Sequence, residues 1–343
     1  MVYGRLTILL LTSVACCLLG RAAINPPSPE AELPTASPSA FRVAGYLPDY
    51  RAAMFDPAAA SGLTDIILFS AEPTVAGGLE LSRVKNLPLA RLRDFKAKTQ
   101  VRLILCVGGW GHSTCFAGLA GSPQARQEFA KAARQVCLEE NFDGLDLDWE
   151  HPKNEAEQEG YAKLLEELHQ AFKPHGLTLS VTLAPWQQLP RRAFAVVDWI
   201  QIMSYDHAGR HSTFEAAQQD VQALIAAGAP REKIILGLPF YGRQVKNREQ
   251  ALAYRNLVAN SHPAPETDEV NGLYFNGPAT IRRKTEFARA ARLGGVMIWE
   301  LGQDAAGEQS LLKAIQNTVA KPRPPGAGNH PQPSPKPSAG GQP

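Results

Sequence analysis

The stretch Asn141 to Pro152 reads NFDGLDLDWEHP. It places Asp143, Asp146, Asp148 and Glu150 in one short segment, with Leu145, Leu147 and Trp149 interleaved among the last three acids. Alternation with period two marks a β-strand, because successive side chains point to opposite faces. Asp146, Asp148 and Glu150 then share one face, and Leu145, Leu147 and Trp149 share the other. The apolar face calls for packing against helices. Along the acidic face the carboxylates stand about 6–7 Å apart, from a rise of about 3.3 Å per residue. Burial and like charge both raise carboxyl pKa values, so such a set is expected to retain a proton near neutral pH. A retained proton beside an ionised neighbour is what an acid catalyst requires.

Two blander readings compete. A solvated acidic loop does not alternate with Leu, Leu and Trp. A cation site lacks the EF-hand spacing and has no His at ligand spacing. Catalysis or sugar binding at this strand is the reading retained.

DGLDLDWE, residues 143–150, resembles the DGxDxDxE signature of glycoside hydrolase family 18, the chitinases and related endo-N-acetylglucosaminidases. The likeness extends from about Phe41 to Asn317. GYLPDYR (45–51) is similar to the family's opening strand. VGGW (107–110) resembles its SxGG motif, with Cys106 in place of the usual Ser. MSYD (203–206) matches MxYD, GLPFYGR (237–243) resembles the seventh strand, and LGGVMIWELGQD (293–304) the eighth.

The 343 residues carry 35 Lys and Arg against 33 Asp and Glu, a net charge of +2, so neither an acidic nor a basic partner is indicated. No basic stripe suggests nucleic acid. Residues 1–23 read as an export signal: Arg5 precedes the apolar run Leu6 to Leu19, and Gly20-Arg21-Ala22-Ala23 offers small residues for cleavage. Lipid anchoring at Cys16 is the weaker alternative. The apolar run is too short for a comfortable membrane span, so no transmembrane segment is expected in the mature protein. Residues 24–40 and 321–343 are rich in Pro and small or polar residues and read as a linker and a disordered tail. The remainder, 41–320, is near the size of about 250 residues usual for a (β/α)8 barrel. Beyond the signal, Cys106, Cys115 and Cys137 remain. An odd number leaves a thiol over, with a Cys106–Cys115 bridge conceivable.

Apolar runs alternating with helical patterns argue for parallel strands joined by crossover helices. The runs are Phe41–Tyr46, Asp65–Phe69, Val101–Val107, the acidic strand, Leu177–Leu183, Trp199–Met203, Lys233–Leu238 and Gly295–Trp299. Helices are expected around Pro57–Ser61, over Leu89–Lys98, after Ser122-Pro123, along the Tyr161–Leu164–Leu165–Leu168–Phe172 stripe, after Ser212 or Thr213 with a Ser212/Glu215 capping box, over Pro278–Arg292 and over Gln309–Val319. Glu150, Asp206, Trp110, Trp186, Tyr241 and Trp299 all follow strand ends, the face on which a (β/α)8 barrel carries its active site.

The resemblance implies a retaining, substrate-assisted glycosidase. Glu150 would protonate the glycosidic oxygen, and the substrate's own N-acetyl oxygen would attack the anomeric carbon. Asp148 would orient the acetamido group, Asp146 would support Asp148, and Tyr205 would hold the acetamido oxygen. Trp299 would form the apolar floor, with Tyr46, Trp110, Met203, Asp206 and Tyr241 as further substrate-binding positions. Asp143 is expected to brace the strand, and His151, where the family often has Tyr, to be a wall residue. No cofactor and no metal is implied. The expected partner is an N-acetylglucosamine-containing polysaccharide, met by a monomer; chitin, peptidoglycan and N-glycan cores stay open, as does a lectin-like role without catalysis. Residues 244–276 are short for the α+β insertion of many relatives, so no sizeable insertion domain and an open groove are expected.

Overall fold

The computed structural model describes residues 40–57 and 60–322. The expected export signal, nearly all of the linker and nearly all of the tail lie outside the described residues. Eight parallel strands form the core: β1 (Arg42–Pro48), β2 (Asp65–Pro73), β3 (Arg102–Gly108), β4 (Gly144–Asp148), β5 (Thr178–Leu183), β6 (Trp199–Ile202), β7 (Ile234–Pro239) and β8 (Gly295–Trp299). Each pairs with its sequence neighbours, and β8 returns to pair with β1, so the sheet closes into a barrel. All eight expected strands are present, their ends within a few residues of the sequence reading.

The outer layer consists of α1 (Leu89–Thr99), α2 (Pro123–Glu140), α3 (Glu155–Phe172), α4 (Arg191–Val196), α5 (Phe214–Ala226), α6 (Pro278–Ala290) and α7 (Leu311–Val319). Ser122 caps α2 by accepting the Ala125 backbone N–H, with Pro123 in its first turn. On α3 the stripe Tyr161, Leu164, Leu165, Leu168 and Phe172 is buried against the barrel. Of the short helix expected around Pro57–Ser61, residues 58 and 59 lie outside the described residues; a 3-10 turn at Asp49–Met54 precedes it. One helix start needs correction. At α5 the cap is Thr213, which accepts from Ala216 N. Ser212 is not part of a capping box, because its hydroxyl is drawn inward to the Ser204 carbonyl at 2.7 Å.

Strand alternation divides the interior in two. Outward residues such as Leu145, Leu147, Val181, Ile200 and Leu236 meet the helices in the main apolar core. Trp149 stacks on Phe116 at 5.4 Å and meets Tyr161 at a tilt, 5.2 Å away. Inward residues Ala44, Tyr46, Ile67, Phe69, Ile104, Cys106, Ile235 and Met297 fill the barrel. The conceivable Cys106–Cys115 bridge is absent: Cys106 is buried inside the barrel, Cys115 begins a short helix outside it, and both are free thiols.

Between β7 and β8 lies a small antiparallel sheet of four short strands, Tyr241–Gln244, Ala251–Ala253, Glu269–Val270 and Leu273–Tyr274, with one helix, Tyr254–Ser261. The insert is short, as expected. It nevertheless raises a wall, because pairing of Ala251 with Arg243 and Ala253 with Tyr241 holds the 241–253 hairpin at the barrel mouth. No described helix is long and apolar enough to cross a membrane.

Candidate active site

A cavity of about 1010 Å³ opens at the C-terminal ends of the strands. That is at the upper end of the range of about 300–1,000 Å³ for small-molecule pockets. Its lining includes Asp148, Glu150, Tyr205, Asp206, Tyr241, Met203, Tyr46, Trp110, Trp186 and Trp299. The eight strands thus bring together every site residue expected from sequence except Asp146, which lies beneath.

The acids form a column of increasing exposure. Asp146 is fully buried inside the barrel. Its Oδ1 accepts from Ser180 Oγ at 2.5 Å and Gln201 Nε2 at 2.8 Å; its Oδ2 accepts from Tyr46 at 2.7 Å and Thr182 at 3.0 Å. Asp148 sits above it, 3% exposed, with Oδ1 lacking any hydrogen-bond partner among the described residues. Burial, then the charges of Glu150 and Asp146, raise its carboxyl well above the ordinary range. Glu150 stands at the cavity surface. Burial and the charge of Asp206 push its carboxyl up to about 7, against a lowering hydrogen bond from the Trp110 backbone.

The backbone around this column is tightly built. Gly108 and Gly109 have φ of 101° and 97°, and a Cβ on either would come within 2.3 Å of Asp148 O or the Phe69 ring. Only glycine fits both conformation and space, which lets Gly109 N donate to Asp148 O at 2.7 Å. Ser113 links the same loop to the acid: its hydroxyl donates to Gly109 O or Asp148 O, both 3.1 Å away, and accepts the Glu150 backbone N–H at 3.0 Å. Asp143 braces the strand start as expected, accepting from Leu103 N at 2.8 Å and pairing with Lys96 at 2.7 Å.

Across the cavity Asp206, at φ 64°, accepts from Tyr241 at 2.6 Å and from both Nε and Nη2 of Arg243, at 2.5 and 2.8 Å. Burial raises its carboxyl, but contact with His211 and hydrogen bonds from Arg243 and Tyr241 hold it well below the usual range. Asp206 is therefore an ionised neighbour whose charge adds to burial in raising the Glu150 carboxyl. Tyr205 is buried with its ring edge-on to Tyr241, centroids 6.2 Å apart. The Trp299 ring rests on Tyr46 at 5.3 Å and Phe69 at 4.9 Å and forms the apolar base. Tyr46 and Tyr241 both line the cavity, yet their hydroxyls are engaged by Asp146 and Asp206. Trp110 and Trp186 stand at the rim, 78% and 65% exposed.

A parallel barrel, an acid column at the end of β4 and a Tyr–Asp pair after β6 accord with the match that decides the assignment: the family model "Glycosyl hydrolases family 18" matches residues 42–304. The chain belongs to glycosyl hydrolase family 18. Chitinase 1 of Aphanocladium album is 27% identical over 275 residues, covering 63% of this chain and 65% of that protein. The chain therefore spans just under two thirds of that relative. The GH18 chitinase ChiB from the chitin utilization locus of Flavobacterium johnsoniae superposes with a TM-score of 0.71 at 26% identity, covering 82% of this chain and 94% of that one. A chitinase-like agglutinin from Robinia pseudoacacia shares the fold, with a TM-score of 0.71 at 21% identity over 80% of this chain and 99% of that one.

Several site residues escape a motif reading. Ser180, Thr182 and Gln201 hold Asp146, and their only sequence signal is a polar residue on the inward face of a strand. Arg51 and Gln303 line one end of the cavity, where Arg51 Nε pairs with buried Glu300 at 2.9 Å. Arg243, Arg248 and Glu249 line the wall contributed by the insert.

Proposed function

We propose that this family 18 protein is an exported, retaining hydrolase of β-1,4-linked N-acetylglucosamine polymers, chitin or its oligomers. The observation that carries the reading is the acid column: Glu150 holds its proton near neutrality at the cavity surface, over an Asp148 that also favours its neutral form. The fold is shared with an agglutinin, so hydrolysis is argued from the site and not from the barrel.

Glu150 delivers its proton to the glycosidic oxygen while the N-acetyl oxygen of the bound sugar attacks the anomeric carbon. Asp148, with a buried oxygen lacking a hydrogen-bond partner among the described residues, accepts the acetamide N–H through that oxygen. Tyr205 steadies the acetamido oxygen, and the Trp299 face receives the C–H face of the sugar. Glu150, now a carboxylate, takes a proton from the water that opens the intermediate. Two displacements retain the anomeric configuration. Export rests on residues 1–23 and is checked by the N-terminal mass of the mature protein.

The test is hydrolysis of soluble chito-oligosaccharides by the wild-type protein and the Glu150→Gln variant, with the first-formed anomer read by NMR. A β-anomer that disappears in the variant supports the reading. Undiminished cleavage by Glu150→Gln, or an initial α-anomer, overturns it; binding by both proteins without cleavage points to a lectin.

A further inference from the structure

His151 follows the acid residue and lines the same cavity. Its ring meets Trp186 edge-on, with centroids 4.6 Å apart. Nδ1 lies 3.1 Å from Gln187 Oε1, and Nε2 lies 3.4 Å from Glu150 Oε2. Which nitrogen carries hydrogen is set on the Gln187 side. Gln187 Oε1 also accepts the Ala184 backbone N–H at 3.3 Å, so turning the amide would press an NH2 against an N–H. The amide nitrogen meets no acceptor among the described residues, so the Ala184 N–H alone fixes the orientation. With the amide so turned its oxygen only accepts, and this assigns the hydrogen to His151 Nδ1. Burial lowers the imidazole pKa against the raising hydrogen bond to Gln187, which favours the neutral ring. A neutral imidazole with hydrogen on Nδ1 presents a bare lone pair at Nε2.

Nε2 stands 3.4 Å from Glu150 Oε2, within reach of its carboxyl. It attracts the protonated acid and repels the carboxylate. We propose that His151 is a positioning residue for Glu150, accepting its O–H at Nε2 and thereby holding the acid form ready in the groove. The inference rests on Glu150 being the acid. In the first step the Glu150 O–H bond breaks, the proton passes to the glycosidic oxygen and the electron pair stays on the carboxylate. In the second, the carboxylate takes a proton from the attacking water. His151 gains and loses no proton over the cycle; its lone pair makes the carboxylate the less comfortable state and so favours reprotonation. The other groups acting on the pair are Asp206, whose charge also raises Glu150, Asp148 beside the acid, Trp110 N–H, Trp186 and Gln187. His151 is thus more than the wall residue expected from sequence.

The experiment compares pH profiles of kcat on a chito-oligosaccharide for wild type, His151→Phe and His151→Asn. Phe keeps a ring against Trp186 but has no lone pair, whereas Asn offers an acceptor oxygen. In His151→Phe the alkaline limb is expected to move about one unit toward acid, a roughly tenfold loss of kcat on that limb. KM should change little, and His151→Asn should recover part of the shift. An alkaline limb that stays in place or moves to higher pH overturns the proposal. Two-bond ¹⁵N–¹H NMR of the histidines, with His151 assigned from the Phe variant, reads the tautomer without reference to activity. Hydrogen on Nε2 of the resting enzyme also overturns it. Hydrolysis surviving in Glu150→Gln would instead remove the acid assignment on which it depends.

Discussion

Replacing Glu150 with Gln is expected to make the protein more stable as well as inactive, and the gain should depend on pH in a defined way. The Glu150 carboxyl is raised from 4.5 to about 7 in the folded protein, chiefly by burial. A folded pKa above the unfolded one means that the native state binds the proton more tightly. Between these values the folded state holds more protons than the unfolded state, so stability falls as pH rises through this window. Once pH is well above 7 the full cost is present; a shift of about 2.5 units corresponds to roughly 3 kcal/mol. Gln has no such cost, and its amide oxygen can still accept the Trp110 N–H. Loss of the Glu150 charge also relieves Asp148, for which that charge is the second cause of elevation after burial. Differential scanning calorimetry of the two proteins should show nearly equal melting temperatures at about pH 4.5. The variant should lead by about 6 °C at about pH 8, taking about 2 °C per kcal/mol for a domain of this size. A difference that does not change with pH, or a variant less stable at the alkaline end, would refute the claim that Glu150 is held protonated by its surroundings.

Other perturbations separate chemistry from scaffolding. Asp148→Asn should lower kcat on chito-oligosaccharides by roughly 10²-fold or more with KM little changed, as when one transition-state contact is removed; an unaltered rate would argue against participation of the acetamide. Lys284, fully buried, donates to Ser212 O at 2.8 Å, Ser212 Oγ at 2.7 Å and Asn276 Oδ1 at 2.8 Å, behind the loop that carries Tyr205 and Asp206. Lys284→Met should strip donors from these acceptors and cost about 3 kcal/mol in a urea titration; a wild-type midpoint would show that the contacts contribute nothing net.

The barrel was legible because its strands obey one period and its site residues follow strand ends. Asp146, Asp148 and Glu150 announced themselves by alternating with Leu145, Leu147 and Trp149. Chain-local signals decide less when the partner comes from far away. Ser212 and Thr213 both suit a helix cap, and Lys284 on α6, 72 residues downstream, draws Ser212 inward and leaves the cap to Thr213. Cys106 and Cys115 are close in sequence, but inward alternation on β3 places Cys106 within the barrel. The wall built from Arg243, Arg248 and Glu249 depends on strand pairing within the insert, and a short stretch between two barrel strands gives no periodicity from which to read it.

The acidic strand also shows how a destabilising site can be held in place. The strand and the two residues after it aim Asp148 and Glu150 inward, where their raised carboxyls report a cost, for Glu150 about 3 kcal/mol at alkaline pH. Its outward face buries Leu145, Leu147 and Trp149, each no more than 3% exposed. At about 1.5–3 kcal/mol for each fully buried apolar side chain, these contribute roughly 6 kcal/mol from the same strand. The apolar face anchors the segment in the core while the acid groups point into the cavity. This also explains why the acids alternate with large apolar residues: the same period that aims the carboxyls into the cavity aims their anchors into the helices. Relieving the strain at Glu150 would therefore leave the strand where it is, stabilise the fold and remove the chemistry.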